Sequence, residues 1–327
     1  RWVQGDVPGS RAILMEAFAA NPDSEQVWLA AVKLEWENNE FERARILLAK
    51  ARARAPTERV WMKSALLERE LGDIGEELEL LDKAIRQYPT FAKFYMMAGQ
   101  ACDEVQEQYE RARKYYQAGL SRCPHSLPLW TLAAKLEEKT SGPTKARSIL
   151  ELARLKNPKN PVLLREAIRL ERRHGNSKLA ENLTAKALQD CPSSGIIWAE
   201  EISCAPRHQQ RARSVEALKR CDNDPNVILA VAVLFQNERK VAKSRKWFNR
   251  AVALDPDLGD AWALFYAFEL QHGKKEDQEE LLKRCVAAEP THGELWCGTS
   301  KKTENRRCNT ETILKKVVAA LAGIGQA

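Results

Sequence analysis

The sequence lacks the long apolar runs that place a protein in a membrane. No stretch approaches the ~18–20 consecutive apolar residues of a membrane-spanning helix, and no apolar run follows the basic start in the manner of a secretory signal. Because the first residue is Arg1 rather than Met, we expect the chain to be a fragment of a longer protein. These absences predict a protein without a transmembrane segment.

Cysteine is present without the spacing that would give it a structural or metal-binding role. No two cysteines form a CxxC pair, and the chain is longer than the small secreted domains that depend on disulfides. We therefore expect free thiols in a reducing compartment, and no zinc site. The eight cysteines are Cys102, Cys123, Cys191, Cys204, Cys221, Cys285, Cys297 and Cys308.

Catalytic motifs are absent as well. The five histidines are scattered, and no HExxH pair, nucleophile elbow or phosphate-binding glycine loop occurs. His292 and Cys297 are close in sequence, but nothing else in the pattern makes them a catalytic dyad. The sequence predicts no enzyme, no catalytic residue, no cofactor and no small-molecule substrate.

The charge is mild overall and unevenly distributed. The net charge is +7, from 52 basic and 45 acidic residues, which does not by itself indicate a nucleic-acid-binding protein. Residues 1–110 carry 14 basic and 20 acidic groups, whereas residues 111–327 carry 38 and 25. The two parts of the chain thus offer surfaces of opposite sign, which suits different partners better than one continuous nucleic acid.

Prolines recur at a nearly fixed interval, and this is the strongest signal in the sequence. Nine of the 14 prolines follow one another at steps of 31 to 35 residues. A period of this length is typical of solenoids built from small helical repeats. The nine are Pro22, Pro56, Pro89, Pro124, Pro158, Pro192, Pro225, Pro256 and Pro290.

A tryptophan and a small residue keep the same period. Six tryptophans lie five or six residues after a repeating proline, and small residues lie five before it, with Gly119 and Cys285 replacing the usual alanine. We interpret these tryptophans as a structural repeat core in which a large ring fills the space beside a closely approaching helix. The six are Trp28, Trp61, Trp130, Trp198, Trp262 and Trp296.

Each repeat is predicted to contain two helices, A after the proline and B before the next one, since proline ends a helix. Thr291 and Glu294 have the spacing of a capping box at one helix A. The predicted fold is all-α: a right-handed α-α superhelix of about nine repeats, forming one solenoid over residues 1–327. Trp2 lies 34 residues before Trp36, so we expect the chain to begin inside a helix A.

Glutamate and arginine also follow the repeat. Each glutamate stands seven residues after the tryptophan position, on the same helical face, and each arginine stands eleven residues before a repeating proline. Because a carboxylate on a packing face needs a partner, we predict ion pairs between helices. The alternative is that both rows are solvated. The residues are Glu35, Glu68, Glu137, Glu171 and Glu269 with Arg11, Arg45, Arg113, Arg147 and Arg245.

This arrangement resembles the HAT (half-a-TPR) repeat of RNA-processing proteins. Longer strings, running in order along the chain, resemble the C-terminal HAT repeats of the pre-mRNA-processing factor 6 family of U5 snRNP components. They are Asn21–Glu35 (NPDSEQVWLAAVKLE), Phe41–Arg52 (FERARILLAKAR), Cys123–Trp130 (CPHSLPLW), Leu155–Pro161 (LKNPKNP), Leu258–Trp262 (LGDAW), Phe268–Gly273 (FELQHG) and Glu289–Cys297 (EPTHGELWC).

The resemblance implies a nuclear, non-enzymatic scaffold of the spliceosome. In that family the repeats bridge the U5 and U4/U6 particles in the tri-snRNP, bind other splicing proteins and make limited RNA contact. Two alternatives stay open: a HAT scaffold of another RNA-processing complex, such as pre-mRNA 3′-end cleavage, and a TPR-like co-chaperone adaptor. The second needs a carboxylate clamp of Lys and Asn on adjacent helices A, which we do not find in adjacent repeats.

Three repeats depart from the pattern, and one carries the densest basic run. The repeat after Pro89 lacks both Trp and Glu, the repeat after Pro192 should have a helix A shortened by Pro206, and the repeat after Pro225 is only 31 residues long. The basic run is a candidate contact for RNA phosphates or an acidic partner, and its first, third and fifth members have the spacing of one helical face. It consists of Arg239, Lys240, Lys243, Arg245 and Lys246.

Overall fold

The protein is helical throughout the residues that the computed structural model describes, which are 6–105 and 108–324. One isolated bridge, between Leu258 and His292, joins two turns. Among these residues, no helix combines the length and apolarity needed to cross a membrane. Trp2 lies outside the described residues, so the start of the chain within a helix A stays a prediction.

Backbone contacts divide the chain into two compact units, unit 1 up to Asn157 and unit 2 from Pro158. The helices of unit 1 are α1 (Val7–Ala20), α2 (Glu25–Glu37), α3 (Phe41–Arg54), α4 (Glu58–Leu71), α5 (Ile74–Gln87), α6 (Ala92–Gln100), α7 (Tyr109–Arg122), α8 (Leu127–Ser141) and α9 (Pro143–Lys156). Those of unit 2 are α10 (Pro161–Arg173), α11 (Ser177–Asp190), α12 (Gly195–Cys204), α13 (Arg207–Arg220), α14 (Pro225–Asn237), α15 (Val241–Leu254), α16 (Gly259–His272), α17 (Lys275–Ala288), α18 (Glu294–Ser300) and α19 (Thr310–Ile324).

The helices form antiparallel neighbours in the predicted pairs. Within the described residues, each of the nine repeating prolines precedes one pair of contacting helices, from α2 with α3 to α18 with α19, and α1 is a helix B without its partner. The prediction of an all-α fold made of about nine two-helix repeats is therefore confirmed. The right-handed path and the single continuous solenoid stay predictions.

Side chains near some helix N-termini accept hydrogen bonds from the first backbone N–H groups, and one predicted cap is wrong. The Thr57 hydroxyl caps α4 by accepting from the Val60 N–H at 3.3 Å, as its position after the proline suggests. The predicted capping box at Thr291 and Glu294 is wrong, because Thr291 donates its N–H and hydroxyl to Asp257 instead. Asp260 takes over the capping of α18 by accepting from the Glu294 N–H at 2.8 Å.

Small residues allow the helices to approach one another. The position five residues before the repeating proline is buried wherever a small residue occupies it beyond α1, whereas Arg220, at this position before Pro225, is exposed. Gly119 shows why the side chain must be small: a Cβ on it would stand 2.7 Å from Tyr95 and Leu129 atoms. The buried members of this row are Ala51, Ala84, Ala153, Ala187, Ala251 and Cys285.

The tryptophans are held by a bond that the sequence pattern does not reveal by itself. In four repeats the indole N–H donates to the carbonyl of the proline six residues earlier, at 2.8 or 2.9 Å, and the ring is buried. A buried indole N–H needs such an acceptor, so the fixed spacing from proline to tryptophan satisfies the ring. The bonded pairs are Trp28 with Pro22, Trp130 with Pro124, Trp198 with Pro192 and Trp262 with Pro256.

Trp61 differs because it follows its proline by five residues instead of six. Its ring is half-buried beside the Arg52 guanidinium, 5.5 Å from the ring centre, and its Nε1 is buried without a hydrogen-bond partner among the described residues. The carbonyl of Pro56 accepts instead from the hydroxyl of Tyr88, which lies at the end of the same repeat. Because the turn is one residue shorter, the Pro56 carbonyl accepts from the Tyr88 hydroxyl and not from the Trp61 indole.

The irregular repeats shorten helix A. In the repeat after Pro192, α12 ends at Cys204 after ten residues, as the Ala205–Pro206 step predicts. In the repeat after Pro89, α6 ends at Gln100 and passes into a π-helical turn, Ala101–Val105. Both features replace the glycine or asparagine turn of regular repeats.

We expect the indole hydrogen bond to contribute about 1 kcal/mol to the free energy of unfolding. Trp198→Phe removes the bond to Pro192 while keeping an aromatic ring in place. Trp61→Phe is the matched control, because its indole N–H has no partner to lose. Urea unfolding should show a greater loss for Trp198→Phe, and equal losses in the two variants would contradict the assignment.

Candidate functional site

The polar residues on the packing faces come together where one repeat meets the next. In four joints the arginine belongs to helix B of one repeat and the glutamate to helix A of the following repeat. The four glutamates are between 2% and 6% exposed, so they are inside the array and not on a solvated face. The pairs are Arg11 with Glu35, Arg45 with Glu68, Arg113 with Glu137 and Arg245 with Glu269.

Their geometry is that of a two-pronged guanidinium–carboxylate bond. Arg245 donates from Nε to Glu269 Oε1 and from Nη2 to Oε2, both at 2.7 Å. Arg11 donates in the same way to Glu35 at 2.8 and 2.6 Å. Such paired bonds satisfy both carboxylate oxygens and fix the angle between the two groups, which sets the register of consecutive repeats.

The fifth predicted pair has one member in each unit. Arg147 lies on α9 in unit 1 and Glu171 on α10 in unit 2, and the pairing of these residues stays a prediction. Glu171 is 2% exposed and accepts from the Asn176 side-chain amide at 2.8 Å. The glutamate thus has the same buried setting as its counterparts in the other repeats.

The ion pairs shift the pKa values of their members. The hydrogen bonds from Arg113 outweigh the effect of burial and lower the pKa of Glu137 below its ordinary value. The same bonds raise the pKa of Arg113, helped by a second bond to Glu110. Glu269 likewise raises the pKa of Arg245. Glu137, Arg113 and Arg245 are therefore charged at neutral pH, as an ion pair between repeats requires.

A further joint of the same type was not predicted. Glu238 stands 13 residues after Pro225, where the regular glutamate stands, but its partner Arg211 is displaced by three residues, one helical turn. Arg211 donates to the two oxygens of Glu238 at 2.5 and 2.8 Å and lowers the pKa of that carboxyl to about 2. The position of Glu238 could have predicted half of this pair, but Arg211 does not stand at the regular arginine position.

The repeat after Pro89 replaces this joint with apolar groups. Leu78 and Cys102 occupy the positions at which arginine and glutamate stand in regular repeats, and both are buried in one hydrophobic cluster. A different ion pair lies close by, in which Arg69 donates from Nε to Glu77 at 2.8 Å and from Nη2 to the Met97 carbonyl. Burial raises the pKa of Glu77 despite the arginine.

The basic run is only partly available to a partner. Arg245 is engaged with Glu269, and Lys240 lies 2.9 Å from Glu238 and over the ring of Phe235. Arg239 lies in the turn before α15, with a φ of 60°, and not on the helix that begins at Val241. Lys243 and Lys246 are exposed on α15 itself. Fewer side chains of the basic run are thus available to a partner than the sequence suggested.

Among the described residues there is no cluster of His, Cys, Asp or Glu that could hold a metal ion. The eight cysteines are free thiols, and burial raises the pKa of Cys285 to about 12. His292 contacts the Asp257 carboxylate, and the Cys297 thiol donates to the Thr291 carbonyl at 3.4 Å. Both side chains therefore make contacts at the turn between α17 and α18.

We expect Arg113→Met to lower the free energy of unfolding by about 1–3 kcal/mol, because Glu137 then lies buried without its counter-charge. A carboxyl with a lowered pKa stabilises the folded state fully above about pH 4.5, its ordinary value, and this contribution is lost as the pH falls through the lower folded pKa. In Arg113→Met, burial raises the pKa of Glu137, so acid destabilisation of this variant begins at higher pH. Urea unfolding at a series of pH values measures both effects.

The control is the exposed pair of Lys315 and Glu311, one turn apart on α19. Lys315→Met should change stability by less than about 0.5 kcal/mol, because exposed pairs of this kind contribute little. The double variant Arg113→Met with Glu137→Leu should recover stability relative to Arg113→Met, since it leaves no buried charge. A double variant as unstable as the single one would show that the charge is not the cause.

Comparison with known proteins agrees with the repeat structure. Two tetratricopeptide-repeat family models match residues 4–67 and 62–126. A tetratricopeptide repeat protein from Parabacteroides merdae superposes with a TM-score of 0.44 at 13% identity, over 80% of this chain and 98% of its own.

The most informative relatives are splicing proteins. Pre-mRNA-splicing factor prp1 of Schizosaccharomyces pombe is 44% identical over 88% of this chain and 32% of its own length. Human pre-mRNA-processing factor 6 is 56% identical over 35% of this chain and 12% of its own. Pre-mRNA-splicing factor 6 of Saccharomyces cerevisiae is 30% identical over 72% and 26%. The chain spans at most about a third of these relatives, and it is a homologue of the family formed by prp1 and pre-mRNA-processing factor 6.

Proposed function

We propose that this chain is a non-enzymatic, protein-binding scaffold of the spliceosome. The observation that carries the proposal is the similarity to prp1 along 88% of the chain, together with a fold that consists of repeated helix pairs. A solenoid of this kind exposes a large surface for its size, because each pair buries only the faces that meet its neighbours. Such a surface suits simultaneous contacts with several partners.

The proposed role is to bridge the U5 and U4/U6 particles of the tri-snRNP during pre-mRNA splicing, through protein–protein contacts in the nucleus. The periodic glutamates and arginines support this role over catalysis, because four of the five predicted pairs are engaged in holding repeats together. Residues 1–110 are acidic overall and residues 111–327 are basic, and surfaces of different charge suit two different particles as partners. The irregular repeats after Pro89 and Pro192 are the places where we expect contacts specific to this chain.

The test is affinity capture with the tagged chain from nuclear extract, followed by identification of the bound proteins. We expect proteins of U5 and U4/U6 particles to dominate, and capture to persist after ribonuclease treatment because the contacts are with protein. Dominance of 3′-end cleavage factors would favour a scaffold of that complex, and dominance of chaperones would favour a co-chaperone adaptor. Either of these outcomes would overturn the spliceosomal assignment.

For the basic run we propose an acidic protein partner in preference to RNA. Arg245 and Lys240 are occupied inside the chain, which leaves Arg239 and two exposed lysines, a small charge for holding a nucleic acid. We expect Lys243→Gln with Lys246→Gln to leave the binding of an oligouridylate unchanged across a salt titration. A log–log salt slope that falls by about 1 in the variant would identify phosphate contacts and contradict the proposal.

A further inference from the structure

One ion pair of unit 2 joins helices that are far apart in the chain. Glu294, the first residue of α18, lies 2.7 Å from Arg169 and 3.7 Å from Arg165, both on α10. The bond from Arg169 Nη1 to Glu294 Oε2 spans 125 residues. Other ion pairs of this unit join neighbouring helix pairs, namely Arg169 with Glu200, Arg211 with Glu238, Arg245 with Glu269 and Arg250 with Asp222.

The position of this contact defines the inner side of unit 2. Both α10 and α18 are A helices, from the first and last pairs of the unit, and neighbouring A helices contact each other from α10 to α12 and from α12 to α14. For the first A helix to meet the last, the row of A helices must curve with its free face inward. Arg165, Arg169 and Glu294 therefore lie across the inside of the curve.

The arginines of α10 share one face. Arg165, Arg169 and Arg172 follow at intervals of four and three residues, which places them in a row along the helix. Arg169 also donates from Nε to Glu200 Oε2 at 2.9 Å, and Arg172 lies 3.6 Å from the other oxygen of Glu200. Burial opposes the charge on Arg169, yet Glu200 and Glu294 raise its pKa.

Arg165 is incompletely satisfied. Its two nearest carboxylates, Glu166 and Glu294, each lie 3.7 Å from Nη2, beyond hydrogen-bonding distance, and its Nε is buried without a hydrogen-bond partner. A buried guanidinium N–H without an acceptor costs free energy until a ligand supplies one. A ligand that brings a second carboxylate would satisfy a donor that Glu294 leaves unmet.

The bond of Glu294 is of the kind that opens readily. The side chain of Glu294 is 46% exposed and that of Arg169 is 33% exposed, so water screens their attraction. The backbone of Glu294 is anchored separately, through its N–H to Asp260. When the carboxylate leaves Arg169, α18 keeps this cap but loses its tie to α10.

We propose that Arg165 and Arg169 form a carboxylate-binding site on the inner face of unit 2 for an acidic segment of a partner protein, and that Glu294 occupies this site in the unbound chain. The proposal rests on the scaffold function, because it assigns one contact surface and the chemistry of what binds there. Arginine suits this role, since its fork matches a carboxylate better than lysine does. Glu294 then acts as an internal competitor that raises the affinity required of a partner.

The first test measures binding of a fluorescein-labelled oligoglutamate peptide, amidated at its C-terminus so that only side-chain carboxylates are present. Glu294→Gln should bind it about five-fold more tightly than the unaltered chain, because the competing exposed ion pair is gone. Adding Arg165→Gln to Glu294→Gln should weaken binding about ten-fold, through loss of a charged hydrogen-bond donor. Glu238→Gln, which breaks a different ion pair of the same unit, is the matched control and should bind like the unaltered chain.

The second measurement follows the internal contact without any ligand. Backbone hydrogen exchange should accelerate in residues 294–300 of Glu294→Gln and stay unchanged there in Glu238→Gln. Exchange that is equal in both variants, or an oligoglutamate affinity that Glu294→Gln does not raise, would overturn the proposal. So would equal binding of the matched oligoglutamine peptide, or displacement of the oligoglutamate from this site by an oligouridylate.

These outcomes are separable from the test of the spliceosomal role. A synthetic peptide and hydrogen exchange report on Arg165, Arg169 and Glu294 whichever complex the chain belongs to. Capture of splicing proteins that is equal in all variants, with no oligoglutamate binding, would leave the scaffold role standing and remove the site. Oligoglutamate binding together with capture of chaperones would support the site and remove the spliceosomal role.

Discussion

A single pair of the described helices cannot bury its apolar face alone. The packing between repeats follows from that constraint. Two helices of about 14 residues have too little shared surface to form a core, so stability comes from contact with the pairs before and after. In the regular repeats the small residue before the proline permits the close approach, and the tryptophan after it fills the remaining space. The buried ion pairs then fix how each pair meets the next.

Proline has two roles in this arrangement. It ends helix B, because it cannot donate the next backbone hydrogen bond, and its carbonyl accepts from the indole six residues later. A proline is well suited to the second role because its fixed φ holds the turn in which the carbonyl lies. The regular spacing of proline and tryptophan thus records a hydrogen bond as well as a helix boundary.

The repeat, the helix pairs and the tryptophan core could be predicted from the sequence, because each depends on residues within one period. The meeting of Arg245 with Glu269 was also accessible, since both belong to periodic rows. The partner of Glu238 was not, because Arg211 sits one helical turn from the expected position. The contact between Arg169 and Glu294 leaves no signal in the nearby sequence, because it depends on how the row of A helices in unit 2 curves.

The joints between repeats are not chemically equivalent. Most depend on a guanidinium and a carboxylate, whereas the joint of α5 with α6 has Leu78 and Cys102 in those positions. Acid removes the charge of a carboxylate and concentrated salt screens it, but neither weakens apolar contact in the same way. Because the joints differ in chemistry, acid or concentrated salt weakens some joints between repeats before others. In acid, the joints of unit 1 that depend on a carboxylate weaken first, whereas the joint of α5 with α6 keeps the apolar contacts of Leu78 and Cys102.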